Sequence, residues 1–261
     1  MLIFELLSME FKISAVYLIY LGIEMNLNLK TLFCGLGLVA SVSVSAAVIT
    51  EDFSGNTFNS SNFETIYGPG VLANETWGST PGSVRDMLRT VNDSYNPAAD
   101  SVLTISADFS FHGSDISFLS WRSDGTHNPG VYSEPLSGLT LRLHENGNID
   151  VAQGYDFTNL IANVDSSSAL FQLDTTVRIN IVDDGLNVAI SMLNLDNLLT
   201  HDFNITSSFN AGGHVAFATT SGNSDWDNIS IDQTPAAVPE PGVLALLSLG
   251  VIGFTARRLK K

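Results

Sequence analysis

Strict alternation of apolar and polar side chains is the feature that most restricts what this chain can fold into. Leu139, Leu141 and Leu143 alternate with Thr140, Arg142 and His144. Val177, Ile179 and Ile181 alternate with Arg178 and Asn180, and Leu103, Ile105, Ala107 and Phe109 with Thr104, Ser106 and Asp108. A period of two puts successive side chains on opposite faces of a strand, so these segments read as antiparallel strands with one face buried and one in water. Two hairpins are marked between them. Glu145-Asn146-Gly147-Asn148 joins 139–144 to 149–152, and Asp183-Asp184-Gly185 joins 176–182 to 186–192. Asn-Gly and Asp-Gly supply the positive φ that tight hairpins require. No interior stretch of ten residues carries a helical period; 194–200 is at most a short turn. Region 57–96, with Gly68-Pro69-Gly70 and Thr80-Pro81-Gly82, reads as loops.

About a dozen short strands in one domain of roughly 190 residues predict an all-β fold, a two-sheet antiparallel β-sandwich. No internal repeat is present, and the only linker is a short spacer over 233–238. The domain spans 47–232. Between residues 47 and 238 there are five arginines, no lysine and 23 carboxylates, a net of −18. The whole chain is less acidic, at −16, because its lysines sit near the two ends. Such a domain is a poor partner for nucleic acid or an anionic surface and suits either a solvated secreted protein or a binder of divalent cations. Cys34 is the only cysteine, so no disulfide staples the domain.

Both ends of the chain carry processing signals. Met25 to Lys30 forms a short basic n-region, Thr31 to Val44 an apolar h-region, and Val44-Ser45-Ala46 a small-residue cleavage pattern. Cleavage by signal peptidase is expected after Ala46 or Ala47. Residues 1–24, with Glu5 and Glu10, fit this signal poorly and are either an upstream extension of the reading frame or an extra apolar helix. At the other end, Val238-Pro239-Glu240-Pro241-Gly242 leads into an apolar run that closes on Arg257-Arg258-Leu259-Lys260-Lys261. The run from Gly242 to Ala256 is about 22 Å long as a helix, against a hydrocarbon core of about 30 Å. It is a marginal span suited to a transient stop, with the basic end held in the cytoplasm. The two prolines keep the entry peptide extended and accessible.

This tail, 239–261, resembles the PEP-CTERM sorting signal of Gram-negative bacteria, which is processed by membrane enzymes called exosortases. The resemblance implies an exosortase-type partner, cleavage near Pro239, Glu240 and Pro241, and Arg257 and Arg258 as the cytoplasmic stop. It also implies export across the inner membrane, transient anchoring, delivery to the cell surface or medium, and association with exopolysaccharide and biofilm.

Three segments carry a second resemblance: Ile49-Thr50-Glu51-Asp52-Phe53, Ile116-Ser117-Phe118-Leu119-Ser120-Trp121 and Trp226-Asp227-Asn228-Ile229-Ser230-Ile231. They are similar to strands of the concanavalin A-like jelly roll shared by legume lectins, laminin G domains and laminarinase-like hydrolases. The resemblance implies that the first and last strands are neighbours and that a structural Ca²⁺ joins them. The ion would bring Glu51 or Asp52 near Asp227 or Asp232. Asp227 also shares the parity of Ile229 and Ile231, and a carboxylate entering the core face needs a partner or a metal. The opposing reading leaves these carboxylates solvated or capping a turn. The EF-hand pattern itself fails, because Asn228 and Thr234 stand where Gly and Glu belong.

A sugar-binding reading rests on Trp77, on Trp121 and on the polar residues after it, Asp124 and Asn128 among them. Aromatics stack on pyranose faces while Asp and Asn accept hydroxyl hydrogens; the opposing reading places both tryptophans in the core. Enzyme chemistry is not expected. No Glu has the Glu-x-Asp-x-x-Glu spacing of a laminarinase-like site, there is no Gly-x-Ser-x-Gly elbow, and His144-Glu145 lacks a second zinc histidine.

Overall fold

The computed structural model describes residues 47–68, 70–78, 86–97, 101–113, 116–126, 137–154, 160–166, 168–219 and 224–235. Ala46, Asn128, Pro239, Glu240, Pro241, Arg257 and Arg258 lie outside them.

Two antiparallel sheets face each other. The larger runs in the order β13 (Thr200–Thr206), β12 (Asn187–Asn194), β11 (Thr176–Asp183), β6 (Ser101–Phe111), β15 (Ser224–Pro235), β4 (Thr76–Gly78) and β3 (Val71–Ala73), with β1 (Ala47–Glu51) also paired to β15. The smaller runs β10 (Leu160–Asp165), β9 (Asn148–Gln153), β8 (Leu139–His144), β7 (Ile116–Ser123), β14 (His214–Thr219), β5 (Asp86–Thr90) and β2 (Phe63–Tyr67). The first and last strands are neighbours, in register from Ala47 opposite Gln233 to Glu51 opposite Ile229.

The inward residues of both sheets form one core. Leu103, Ile105 and Phe109 of β6, Val177, Ile179 and Ile181 of β11, and Leu139, Leu141 and Leu143 of β8 are all buried, as the alternation requires. Trp226 is fully buried between Phe109 and Phe217, with ring centroids 4.8 and 5.2 Å away. Such aromatic contacts add about 0.5–1.5 kcal/mol each beyond area burial. A second, smaller cluster of Met87, Phe118, Ala152, Ala216 and Ala218 lies on the other face of the smaller sheet. Gly147 and Gly185 take φ of 93° in the two expected hairpins. The segment after β12 is a turn, with Leu198 N donating to Asn194 O.

Two expectations change. Region 57–96 is not loop throughout: it supplies β2, β3, β4 and β5, whose short runs break the alternation that longer strands display. The last strand also continues past residue 232 to Pro235, into the expected spacer.

Register shifts occur in β2, β7, β10 and β15 among the described strands, and those in β15 and β7 reset the parity of charged side chains. Between Asp227 and Ser230, β15 has one residue more than its partner β6, and Asn228 sits there with φ 47°. Between Ser120 and Ser123, β7 has one more than β14, and Arg122 sits there with φ 51°. Each bulge sends side chains to a face that simple alternation would not assign them.

Candidate functional site: a polar pocket on the outer face of the larger sheet

The outward side chains of β6 at its C-terminal end are Asp108 and Ser110, followed by His112. Beside them lie Thr176 at the start of β11 and Asp225, Asp227 and Asn228 at the start of β15. The β3–β4 hairpin contributes Asn74 and Thr76, and Leu195 closes one side. These residues line a pocket of about 390 Å³. It forms there because three neighbouring strands begin or end together and because the bulge at Asn228 turns Asp227 outward. Glycine at 78 leaves room for the Asp225 carboxylate where β4 pairs with β15: a Cβ there would lie 2.0 Å from Asp225 Oδ1 and would force that side chain to move.

Hydrogen bonds fix the carboxylates. Arg178 grips Asp108 through Nε and Nη2, both at 2.8 Å, and Asn228 Nδ2 donates to Asp108 Oδ2 at 3.1 Å. The pair with Asp108 raises the Arg178 pKa further. Thr76 Oγ1 donates to Asp225 Oδ2 at 3.1 Å. His112 bridges two carboxylates, with Nδ1 3.0 Å from Asp174 and Nε2 3.1 Å from Asp225. Carboxylates only accept, so both contacts are hydrogen bonds only when the ring is imidazolium. Burial works to lower the His112 pKa, but the hydrogen bond to Asp174 and the charge of Asp225 outweigh it and raise it above the ordinary histidine value. Asp227 is pushed above the ordinary carboxylate value, first by burial and then by the charges of Asp108, Asp52 and Glu75, against the hydrogen bond from Asn228 N. The pocket thus sets the Asp225 and Asp227 carboxylates beside the Asn74 amide and the paired Ser110 and Thr176 hydroxyls, 3.3 Å apart. That set suits the hydroxyls of a polyol.

The residues expected to hold calcium do not converge on one point. Both oxygens of Glu51 accept backbone N–H groups, from Phe53 at 2.9 Å and Asn59 at 2.7 Å. Asp52 accepts from Ser54 N at 3.0 Å, and hydrogen bonds from Ser54 lower its pKa. Asp232 lies opposite Val48, three positions along β1 from Glu51, and its Oδ1 is buried without a partner. Asp227 faces the pocket rather than the core, because the bulge separates its parity from that of Ile229 and Ile231. It is near enough to Asp52 to feel its charge. Among the described residues no group of three or more His, Cys, Asp or Glu is arranged to hold a metal ion.

The sugar-stacking expectation for the tryptophans is corrected. Trp77 is 1% exposed and Trp121 is 0% exposed, so neither presents a face to a ligand. Trp77 is on β4, not in a loop, and points into the core. Trp121 Nε1 donates to Asp183 Oδ2 at 2.8 Å. Arg122, swung inward by its bulge, pairs with the same carboxylate through Nε at 2.7 Å and through Nη2, while Nη1 donates to Ser207 O at 2.7 Å and Phe209 O at 2.9 Å. This buried network ties the two sheets together. Asp124 caps a turn: its Oδ1 accepts from Thr126 N at 2.9 Å, Thr126 Oγ1 at 2.6 Å and Ser137 Oγ. Burial alone would raise its pKa, but these hydrogen bonds lower it overall.

The smaller sheet carries a second polar network, around the fully buried Asp150. Arg142 Nε donates to it at 2.8 Å and Asn163 Nδ2 at 2.5 Å, with His144 Nε2 at 3.2 Å. Burial first, and then the Arg142 charge, hold His144 below the ordinary histidine pKa.

Sequence reasoning missed Asp108, His112 and Asn74 as site residues. Asp108 was visible as an outward member of an alternating strand. Its meeting with Asp225 and Asp227 is a matter of sheet order, because β6 and β15 are far apart in sequence.

Residues 237–261 match the PEP-CTERM protein-sorting motif. No curated protein sequence matches the chain. Among solved structures, the chain is similar to the exoplasmic/lumenal domain of VIP36 in its Ca²⁺/Man2-bound form, with TM-score 0.52 and 14% identity over 74% of this chain and 90% of that one. It is similar to lectin II from Ulex europaeus, with TM-score 0.51 and 9% identity over 73% of this chain and 98% of that one. It is also similar to basic winged bean lectin with Tn-antigen, with TM-score 0.50 and 8% identity over 73% and 99%. The chain therefore carries a PEP-CTERM sorting motif behind a jelly roll of the legume-lectin type.

Proposed function

We propose that the protein is an exported, non-enzymatic, glycan-binding component of the cell surface or extracellular matrix, associated with exopolysaccharide and biofilm. The sorting motif indicates export and transient membrane anchoring with an exosortase as partner. In this reading signal peptidase cuts after Ala46 or Ala47, beside the start of β1, and the exosortase cuts near Pro239, Glu240 and Pro241. The observation that carries the reading is the joining of a lectin-type jelly roll to that motif. Of the similar structures, that of VIP36 is named as a Ca²⁺/Man2-bound form and that of basic winged bean lectin as a form with Tn-antigen, which supports a glycan as the ligand class.

The outer-face pocket is the proposed glycan site, with Asp225, Asp227 and Asn74 as the groups that meet hydroxyls. Each described arginine is already bound to a carboxylate: Arg89 to Glu64, Arg122 to Asp183, Arg142 to Asp150 and Arg178 to Asp108. The domain between 47 and 238 has no lysine. A neutral or amine-bearing polymer is therefore favoured over a polyuronate. Hydrolysis fits less well. Among the described residues Asp108 is the carboxylate directly opposite Asp227, but Arg178 and Asn228 already occupy its oxygens, so it is not available as a second catalytic carboxylate.

The test is a glycan array and exopolysaccharide co-sedimentation with the 47–235 fragment, beside Asp225→Ala and Asn74→Ala variants. Binding lost in these variants and retained in Asp124→Ala supports the pocket. Release of reducing ends by the intact fragment would replace this reading with a hydrolase.

A further inference from the structure

The first strand of the domain begins where the leader is expected to end. The ladder between β1 and β15 sets Ala47 opposite Gln233 and Val48 opposite Asp232. Ile49 and Ile231 are opposite one another and pack against the core, so Val48 and Asp232 stand together on the outer face. At its far end β1 is tied down by Glu51, whose oxygens accept from Phe53 N and Asn59 N. At its first residues it is held by the ladder to β15, and Val48 is 55% exposed.

Asp232 is short of a donor. Its Oδ1 is buried and has no hydrogen-bond partner among the described residues. A buried carboxylate oxygen without a donor is costly, and a charge-assisted hydrogen bond offsets that cost. The described arginines do not supply one: Arg89, Arg122, Arg142 and Arg178 are bound to Glu64, Asp183, Asp150 and Asp108. There is no lysine between residues 47 and 238.

Removal of the leader creates a cation at this place. Hydrolysis adds water across the peptide bond after Ala46 or Ala47. The leader departs with the carboxylate, and the domain keeps an amine, protonated at neutral pH because its ordinary pKa is about 7.7–8.0. A peptide N–H with one proton becomes an ammonium with three. On Val48 the ammonium is directly across the ladder from Asp232; on Ala47 it is one residue step away. With strands about 4.8 Å apart and a rise of about 3.3 Å per residue, that diagonal is about 6 Å from backbone to backbone, a gap that an aspartate side chain reaches into.

We propose that the N-terminal ammonium left by signal peptidase pairs with Asp232 and pins the start of β1 to β15, so that removing the leader completes this edge of the larger sheet. The proposal rests on the cut at Ala46 or Ala47 and not on what the pocket binds. A carboxylate beside the ammonium favours its charged form, so the folded amine titrates above its ordinary value. The pair stabilises the fold fully below the unfolded value, and this stabilisation is lost as pH rises through the folded one.

The lack of lysine makes the test direct. A chain ending at Pro235 keeps all the strands of both sheets and, once its leader is removed, has its α-amine as its single alkylamine. It is exported through its own leader, and N-terminal sequencing reads the cut. Reductive methylation with isotope-labelled formaldehyde then marks that amine for titration by NMR. Its pKa should be about one unit higher than that of the same labelled amine in the urea-unfolded chain, about a tenfold gain in proton affinity. Asp232→Asn should abolish the shift, whereas Asp184→Asn in the β11–β12 hairpin should retain it. No shift in a chain that starts at Ala47 or Val48, or a shift that survives Asp232→Asn, overturns the pairing. A start at any other residue overturns the cut and the proposal with it.

Discussion

Substituting Asp183 with Asn probes the contact that holds the sheets in register. Asp183 is fully buried and Arg122 is 1% exposed. The carboxylate receives Arg122, the Trp121 indole and the Gly185 N–H at 2.8 Å. The amide would keep some of these hydrogen bonds but lose the charge that answers a buried guanidinium. Breaking one partner of a buried pair costs about 3–5 kcal/mol, and the retained hydrogen bonds put Asp183→Asn near the lower figure, about 3 kcal/mol. For a domain of this size each kcal/mol moves Tm by about 2–4 °C, so a fall of about 6–12 °C is expected. The assay is thermal unfolding of the 47–235 fragment followed by tryptophan fluorescence and circular dichroism, with urea titration to verify an unchanged m-value. An Arg122→Met/Asp183→Leu double variant should be more stable than Asp183→Asn, because no unpaired charge remains inside. If Asp183→Asn shifts Tm by less than about 2 °C, or if the double variant is no better than the single, the pair does not bridge the sheets as described.

Other outcomes follow from the same geometry. Asp227→Asn should raise stability at pH 7 by removing a carboxylate crowded by Asp108, Asp52 and Glu75; the wild-type pKa is raised, so the gain should fade as pH falls through that value and vanish below the unfolded value near 3.8. His112→Ala should cost stability most in acid: the folded pKa is raised, so the contribution of the bridge is full below the ordinary value of 6.5 and is lost as pH rises through the folded pKa. Melting curves from pH 3 to 8 decide both, and a difference that is independent of pH over that whole range would refute the assignment. Asn228→Val should cost about 1–2 kcal/mol from its positive φ, plus the side-chain hydrogen bonds to Asp108 and Asp227, whereas Asn228→Gly should lose only those hydrogen bonds. Chelator tests for the structural Ca²⁺: a fall of several degrees in the Tm of the fragment places an ion in it, and a midpoint unchanged within about 1 °C argues against one.

Much of the architecture was legible in the chain. The alternation in β6, β8 and β11 and the Asn-Gly and Asp-Gly turns name strands and hairpins, because period two and positive φ are local requirements. Region 57–96 was not legible. Strands of three to five residues carry too few alternating positions to separate from loop, and they form only because β15, β14 and other strands offer them edges. The site was legible only in part. Asp227 was singled out, but for the wrong face. Trp121 was weighed between core and ligand, and burial decides for core.

The physical cause in these last cases is the β-bulge. By itself the sequence determined the strand content, the acidity of the domain, the absence of a disulfide there and the presence of the sorting tail, since each depends on composition or on contacts within a few residues. Tertiary structure alone decided that one extra residue in β15 turns Asp227 outward and that one extra residue in β7 turns Arg122 inward. A bulge is stabilised by the mismatch between two paired strands, and neither strand carries that mismatch alone. The same pairing brought Asp108 to Asp227 across more than a hundred residues and set Ala47 beside Gln233, so that the two ends of the domain leave together.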